Sequence, residues 1–549
     1  MSRPTVRVEN GAVSPAPRGA TSHRGRGDTG YTRLLFRVDV PGPVRRKPGA
    51  PVEALEDLLG KAFRDLRCRW PGVAFGFAFA VSAEKVNAAS PRSTFDDTRN
   101  RYFYAWVPFD TSLAGFVPDL AVLAGVDSAS VSADPPVTVW EPLADLDPDD
   151  AAAEFDAFSQ AWAGPAGINA VKAWAYAGAR GEDMTIADLE QGWTLDHIDL
   201  YDTGNPDRIR RVFGLNQAYM GHGTAVLGIL AAREDGKGCT GAVPAARIRC
   251  YSLIEDSGWD LPLQWAIDAA VWGVDPLIAL RGEAPGTGDG PTAAGVHPLE
   301  KGDILLIEDQ GSLPALDVTG VPAEVQLPVF IAIQDATSRE ITVIEPAGNG
   351  SVDLDDLAGQ PGVAGLGSGA EDSGAIVVGA STAGGFRERL DSSCFGGRVD
   401  CHAWGEGVFT TGDGWEGNDR FCYTLFGGTS AAAAQVAAAA AAVQGAHRLF
   451  NGATLNPADL RQALKDAGQR TLNQANDRRG VMPDTYGTIR AFAGEPPGTT
   501  PAYPDPADND LSDVVLCGVA YDEFDAPAPA LAPVFFVLGL LAGIVLMLI

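Results

Sequence analysis

Between residues 165 and 490, apolar strand-like runs and helix-like runs follow one another without interruption, and this alternation limits the fold more than anything else in the chain. The runs read MTIADL, RIRCYSL, LPLQWAIDAAVWG, DILLIE, VFIAIQDATSR, ITVIEPAG and GAIVVGA, after an opening stretch, GPAGINAVKAWAYAGARG, that reads as a helix. Such a succession predicts an α/β domain: a parallel sheet with helices on both faces. Functional groups in sheets of this kind gather at strand C-terminal ends and helix N-termini.

The rest of the chain reads differently. Residues 1–30 carry Pro, Gly and Arg with no apolar run, the composition of a disordered arm and not of a secretory signal. Residues 31–140 read as a small α+β unit. Its strands are YTRLLFRVDV, FGFAFAV and RYFYAWVPF, and its helix, PVEALEDLLGKAFRDLR, puts Leu55, Leu58, Leu59, Ala62 and Phe63 on one face. A helix and a last strand follow in SLAGFVPDLAVLAGVDSASVSADP. Residues 141–164 form an acidic link, and 491–530 a Pro-rich, acidic linker. Residues 531–549, LAPVFFVLGLLAGIVLMLI, carry no charge. As a helix they rise about 28 Å, the depth of a hydrocarbon core, and are expected to be a transmembrane helix.

A net charge of −30 argues against nucleic acid as a partner, because phosphate contacts need a basic face. The seven cysteines are odd in number and none falls in a CxxC pair, so zinc and thioredoxin-like chemistry have no support, and no disulfide pairing follows from the sequence.

Three stretches supply the groups of a nucleophilic triad: a hydroxyl, a base to take its proton, and a carboxylate to orient the base. In TIADLEQGW, Asp188 follows an apolar strand. In GHGTAVLGILAA, His222 sits between glycines ahead of a helical run. In FGGTSAAAAQVAAAAAAVQG, Ser430 opens an Ala-rich helix, where free N–H groups and the helix dipole favour an oxyanion. The alanines suit a helix buried in tight packing.

These stretches, in the order Asp–His–Ser, closely resemble the motifs of the subtilisin-like serine peptidases over residues 165–490. The resemblance implies a serine endopeptidase that works through an acyl-enzyme, with Asp188, His222 and Ser430 as its triad. It further implies protein or peptide substrates, no cofactor for the chemistry, and structural calcium at no assignable position. ITVIEPAGNG resembles the strand and turn that carry the family's oxyanion asparagine, which makes Asn349 a donor beside the Ser430 N–H. A catalytically silent scaffold of the same fold at a membrane is the alternative.

The sequence also departs from the family pattern. Ala434 stands where a proline is usual, and the first motif reads Asp188–Leu189–Glu190–Gln191–Gly192 where Asp–Ser/Thr–Gly is usual. Glu190 and His197 read as surface or turn residues, and CHAWGEG as a loop near the active face. The substrate-binding strand is matched by GDILLIEDQG, which makes Glu308, Asp309 and Gln310 substrate-binding candidates with a preference for basic side chains; DPLIALRG is the other match. The end of the α+β unit resembles a subtilisin pro-domain, which templates folding and inhibits until cleaved, while a plain partner-binding domain fits it nearly as well. Anchoring through residues 531–549 would leave the peptidase on the cytosolic side of a membrane. The acidic flank gives that orientation no Lys or Arg support.

Overall fold

The computed structural model describes residues 31–46, 51–89, 96–108, 111–123, 126–132, 160–216, 220–235, 238–254, 261–274, 298–366, 372–384, 387–413, 420, 422–469 and 478–496. The expected arm at 1–30, nearly all of the acidic link, most of the 491–530 linker, the apolar segment 531–549 and the alternative strand DPLIALRG lie outside the described residues. No helix among the described residues is long and apolar enough to cross a membrane.

The N-terminal unit is a four-stranded antiparallel sheet. It comprises β1 (Tyr31–Val38), β2 (Ala74–Phe77), β3 (Tyr102–Pro108) and β4 (Val126–Ser132) in the order β2-β3-β1-β4, with helices α1 (Pro51–Arg69) and α2 (Leu113–Ala121). Leu55, Leu59, Phe63 and Leu66, spaced along one face of α1, pack with Phe36, Phe75, Phe103 and Phe116 into its own core. FGFAFAV forms a strand only over Ala74–Phe77.

The second sheet has seven strands: β5 (Thr185–Glu190), β6 (Ile209–Phe213), β7 (Arg247–Ser252), β8 (Ile304–Ile307), β11 (Thr342–Pro346), β12 (Ile376–Ser381) and β13 (Cys401–Trp404). Their order is β13-β12-β11-β8-β5-β7-β6 and every pairing is parallel. Two antiparallel ribbons flank it, β9 (Gln310–Leu313) with β10 (Val318–Pro322), and β14 (Val408–Thr411) with β15 (Tyr423–Phe426). The expected α/β class is therefore found. CHAWGEG is not a loop, since its first four residues are the edge strand β13. Nor is 164–181 one helix; only Ala170–Ala173 is α-helical there, because Gly164, Pro165, Gly167 and Gly178 break the run.

Side chains alternate across the sheet with the period of two that a strand imposes. Ile186, Ile248, Ile304, Leu306, Ile344, Ile376 and Val378 face one core, shared with α3 (Met220–Ala231) and α6 (Gly428–Asn451). Ala187, Leu189, Tyr251, Leu305, Ile307 and Val343 face the other, shared with α4 (Leu263–Trp272) and α5 (Leu327–Ser338). Helix α6 is buried continuously from Thr429 to Ala446. Alanine suits this place twice over: it is the best helix former, and its lone methyl lets the helix axis come close to the strands.

The N-terminal sheet covers α4 and α5. Ala78, Phe79, Tyr102, Tyr104 and Trp106 join the second core beside Leu263 and Trp265. A buried ion triad crosses the same contact: Arg99 binds Asp268 and Asp335, each at 2.8 Å. Asp268 also accepts from the Val81 N–H (3.1 Å).

Candidate active site

Strand β5 carries its chemistry at its C-terminal end. Ile186 faces α3 and α6, so the residues two and four further on, Asp188 and Glu190, face them too, while Ala187 and Leu189 point away. Glu190 is the last residue of the strand and Asp188 lies one pleat deeper. Only the terminal carboxylate meets the histidine: His222 Nδ1 and Glu190 Oε1 are 2.7 Å apart. Asp188 is fully buried below it, with Oδ2 accepting from Trp193 Nε1 (2.8 Å) and Oδ1 unpartnered. The assignment of Asp188 as the partner of His222 is thus not the arrangement found. Glu190, read from sequence as a surface or turn residue, is 3% exposed and holds the position.

Burial pushes the Asp188 carboxyl well above the ordinary carboxylate range, and the neighbouring Glu190 charge adds to this. Glu190 is also pushed up by burial, with the His222 contact opposing the shift. A carboxylate on Nδ1 selects the tautomer with its proton there, which leaves Nε2 as the acceptor that a base needs.

His222 stands in the first turn of α3, edge-on to Phe426 with ring centres 5.0 Å apart. The glycine after it is required by space: a Cβ on Gly223 would lie 2.3 Å from the Gly192 carbonyl oxygen and 2.7 Å from the Trp193 ring. The start of α3 can therefore press directly on the turn that ends β5, which sets the short Glu190–His222 distance.

Ser430 is the third residue of α6 and 7% exposed. Asn349 follows β11, and its side-chain oxygen accepts from the Thr429 N–H (3.0 Å) and hydroxyl (3.1 Å). With that oxygen held, the amide nitrogen of Asn349 is turned away from Thr429. The Asn349 backbone N–H donates to Gln310 Oε1 (3.0 Å), so Gln310 braces the turn that carries Asn349.

Glu308 continues β8 on the same face as Glu190. Leu189 pairs with Ile307, and the Glu308 N–H donates to the Leu189 carbonyl (3.1 Å), so the two glutamates stand side by side on neighbouring strands. One oxygen or nitrogen from each of Glu190, His222 and Glu308 lies within 4.8 Å of the other two. Burial pushes the Glu308 carboxyl well above its ordinary value, the charges of Glu190 and Asp188 push further, and the Ser430 hydroxyl opposes them. Of the three candidate substrate-binding residues, then, Glu308 lies beside Glu190 and His222, and Gln310 against the Asn349 backbone. Asp309 Oδ1 accepts from the Gln310 N–H (2.9 Å).

His197 is wholly buried: the Asp199 N–H donates to its Nδ1 (3.1 Å) and its Nε2 lies 2.8 Å from the Cys422 carbonyl. His402 on β13 is equally buried, and desolvation, with Arg479 and Arg387 nearby, lowers its pKa well below the ordinary histidine value. Six cysteines among the described residues are free thiols, of which only Cys68 is exposed.

The site thus combines an all-parallel sheet, a carboxylate–histidine pair at one strand end and a serine that opens a buried helix. Residues 181–481 match the model of the subtilase family, Peptidase S8, and the chain belongs to that family. An extracellular serine protease of Aeromonas sobria is 30% identical over 98 residues, 17% of this chain and 16% of that protein. The chain thus aligns with well under two thirds of that relative's length. Among solved structures, a protease of Pseudoalteromonas arctica is 20% identical over 61% of this chain and 98% of its own, with a TM-score of 0.43. A lanthipeptide protease is 18% identical over 64% and 99%, with a TM-score of 0.43. A cold-adapted subtilisin-like serine proteinase is 18% identical over 55% and 88%, with a TM-score of 0.36.

Proposed function

We propose that the chain is a serine endopeptidase that cleaves protein or peptide substrates through an acyl-enzyme on Ser430. His222 Nε2 takes the Ser430 proton as the hydroxyl oxygen attacks the scissile carbonyl, then delivers it to the leaving amine. Glu190, in place of Asp188, orients His222 and stabilises its cation. The side-chain N–H of Asn349 and the backbone N–H of Ser430 receive the developing oxyanion, aided by the N-terminus of α6. The observation that carries this reading is the 2.7 Å Glu190–His222 contact, in the same site as Ser430 and Asn349. A fluorophosphonate probe tests it: the native chain should be labelled at Ser430, and His222→Ala and Ser430→Ala should not. Labelling that survives Ser430→Ala would refute it. No observation favours the catalytically silent alternative.

The chemistry needs no cofactor. Calcium remains without an assigned position. Outside the site, the clustered acids Asp353 and Asp355 are held by Arg478, and Glu324, Asp372 and Asp400 by Arg398 and Arg461, which occupy the lone pairs a cation would use. The N-terminal unit, on this reading, templates folding of the peptidase and restrains it; its apolar docking on α4 and α5 and the buried Arg99 triad support that role. Membrane anchoring through residues 531–549 rests on the uncharged composition of that segment alone.

A further inference from the structure

The parallel pairing of β5 and β8 forces two carboxyls together. Leu189 stands opposite Ile307, so Glu190 and Glu308 end neighbouring strands at one level and on one face. Adjacent strands are only about 4.8 Å apart, and Asp188 lies one pleat below on that same face. Three acids and one imidazole therefore share a buried space. Two of the acids have partners there: Glu190 has His222 Nδ1, and Asp188 has Trp193 Nε1. Glu308 has none. It is 8% exposed, and both its oxygens are buried without a hydrogen bond.

The groups facing Glu308 are Asp188 and Glu190 on β5, His222 on α3 and Ser430 on α6. Cys250, across from Asp188 on β7, is a thiol held neutral by burial and by the Asp188 charge. No group in this set can neutralise a Glu308 carboxylate, because Glu190 already holds the imidazole. A buried carboxylate with no cation or N–H donor to hold it is expensive, so the side chain retains its proton.

We propose that Glu308 is a further catalytic residue, a carboxylic acid that must keep its proton for Ser430 to attack. Protonated, it donates toward Ser430 Oγ, and the serine O–H stays directed at His222 Nε2. Ionised, it becomes an acceptor that competes with His222 for the single serine proton, and its charge opposes the oxyanion forming beside it. The Glu308 proton is not consumed: during acylation the proton that moves is that of Ser430, first to His222 and then to the leaving amine. This rests on Ser430 being the nucleophile.

The test is the second-order rate of fluorophosphonate labelling of the full-length protein as a function of pH. For the native chain the rate should fall on the alkaline side as Glu308 ionises, by about tenfold per pH unit beyond that midpoint. In Glu308→Gln, which keeps a donor and cannot ionise, the falling limb should vanish. Glu308→Ser, smaller and also non-ionising, should behave likewise and serves if the glutamine variant does not fold. A native profile without a falling limb, or a variant that keeps it, overturns the inference. A native chain that is unlabelled at every pH instead overturns the reading of Ser430 as nucleophile.

Discussion

Replacing Glu190 by Gln and, separately, Asp188 by Asn decides which acid serves His222. The Glu190–His222 contact is 2.7 Å with the side chains 3% and 13% exposed, so water screens it little. Charges about 4 Å apart attract by about 4 kcal/mol at an effective dielectric of 20, and this attraction stabilises the imidazolium that forms during attack. A glutamine there provides no charge, and its NH₂ can face Nδ1 and impose the wrong tautomer. The loss of the carboxylate in a serine–histidine–acid triad costs about 10⁴ in kcat, about 5 kcal/mol, and Glu190→Gln should match it. Asp188→Asn retains an acceptor for Trp193 Nε1 and removes a repulsive buried acid, so turnover should stay within about threefold. The assay is kcat on fluorogenic casein at neutral pH, with enzyme concentration fixed by active-site titration and folding checked by thermal unfolding. A fall of about 10⁴ in Asp188→Asn alongside a nearly native Glu190→Gln would refute the reasoning.

Asn349→Ala should keep the native melting temperature and lose about 10²–10³ in kcat, and a loss below tenfold would remove it from the oxyanion site. Arg99→Met should cost about 3–5 kcal/mol in unfolding experiments, because Asp268 and Asp335 are left buried and uncompensated; a loss below about 1 kcal/mol would show that the triad does not hold the two units together. Stability should fall as pH rises from about 4 toward neutrality: Asp188, Glu190 and Glu308 have raised pKa values and Asp303 is pushed up to about 6, so the folded chain binds more protons than the unfolded one across that window. Melting curves over that range should flatten in Asp188→Asn with Glu308→Gln, and an unchanged slope would count against the buried acids as its source. Full-length protein should remain in carbonate-washed membranes while a chain ending at Pro529 stays soluble, and a soluble full-length chain would end the anchor reading.

The sheet was legible because strands covered on both faces are mostly apolar runs. MTIADL, RIRCYSL, DILLIE, ITVIEPAG and GAIVVGA all became strands at or near the expected residues. Strand β6 escaped notice because at the sheet edge its sequence is Ile-Arg-Arg-Val-Phe, with Arg210 and Arg211 exposed. The 164–181 segment misled because alanine suggests helix wherever it is dense, whereas its glycines and proline fix the turns.

The site was harder to read because its chemistry depends on one residue of register. Asp188 and Glu190 share a face of β5, and an apolar run followed by an acid does not say at which pleat the strand ends. Two signals in the sequence favour Glu190. Counting back from Gly192 along the family's acid–x–Gly spacing lands on Glu190, and the unbroken strand extends to it. The same signal recurs in β8, where DILLIE ends in an acid just as TIADLE does, and parallel neighbours in register put like residues side by side. The likeness of two strand ends far apart in the chain is therefore a contact prediction. What it could not provide is the partner count, which distinguishes a carboxylate held by an imidazole from a carboxyl that has only a serine beside it.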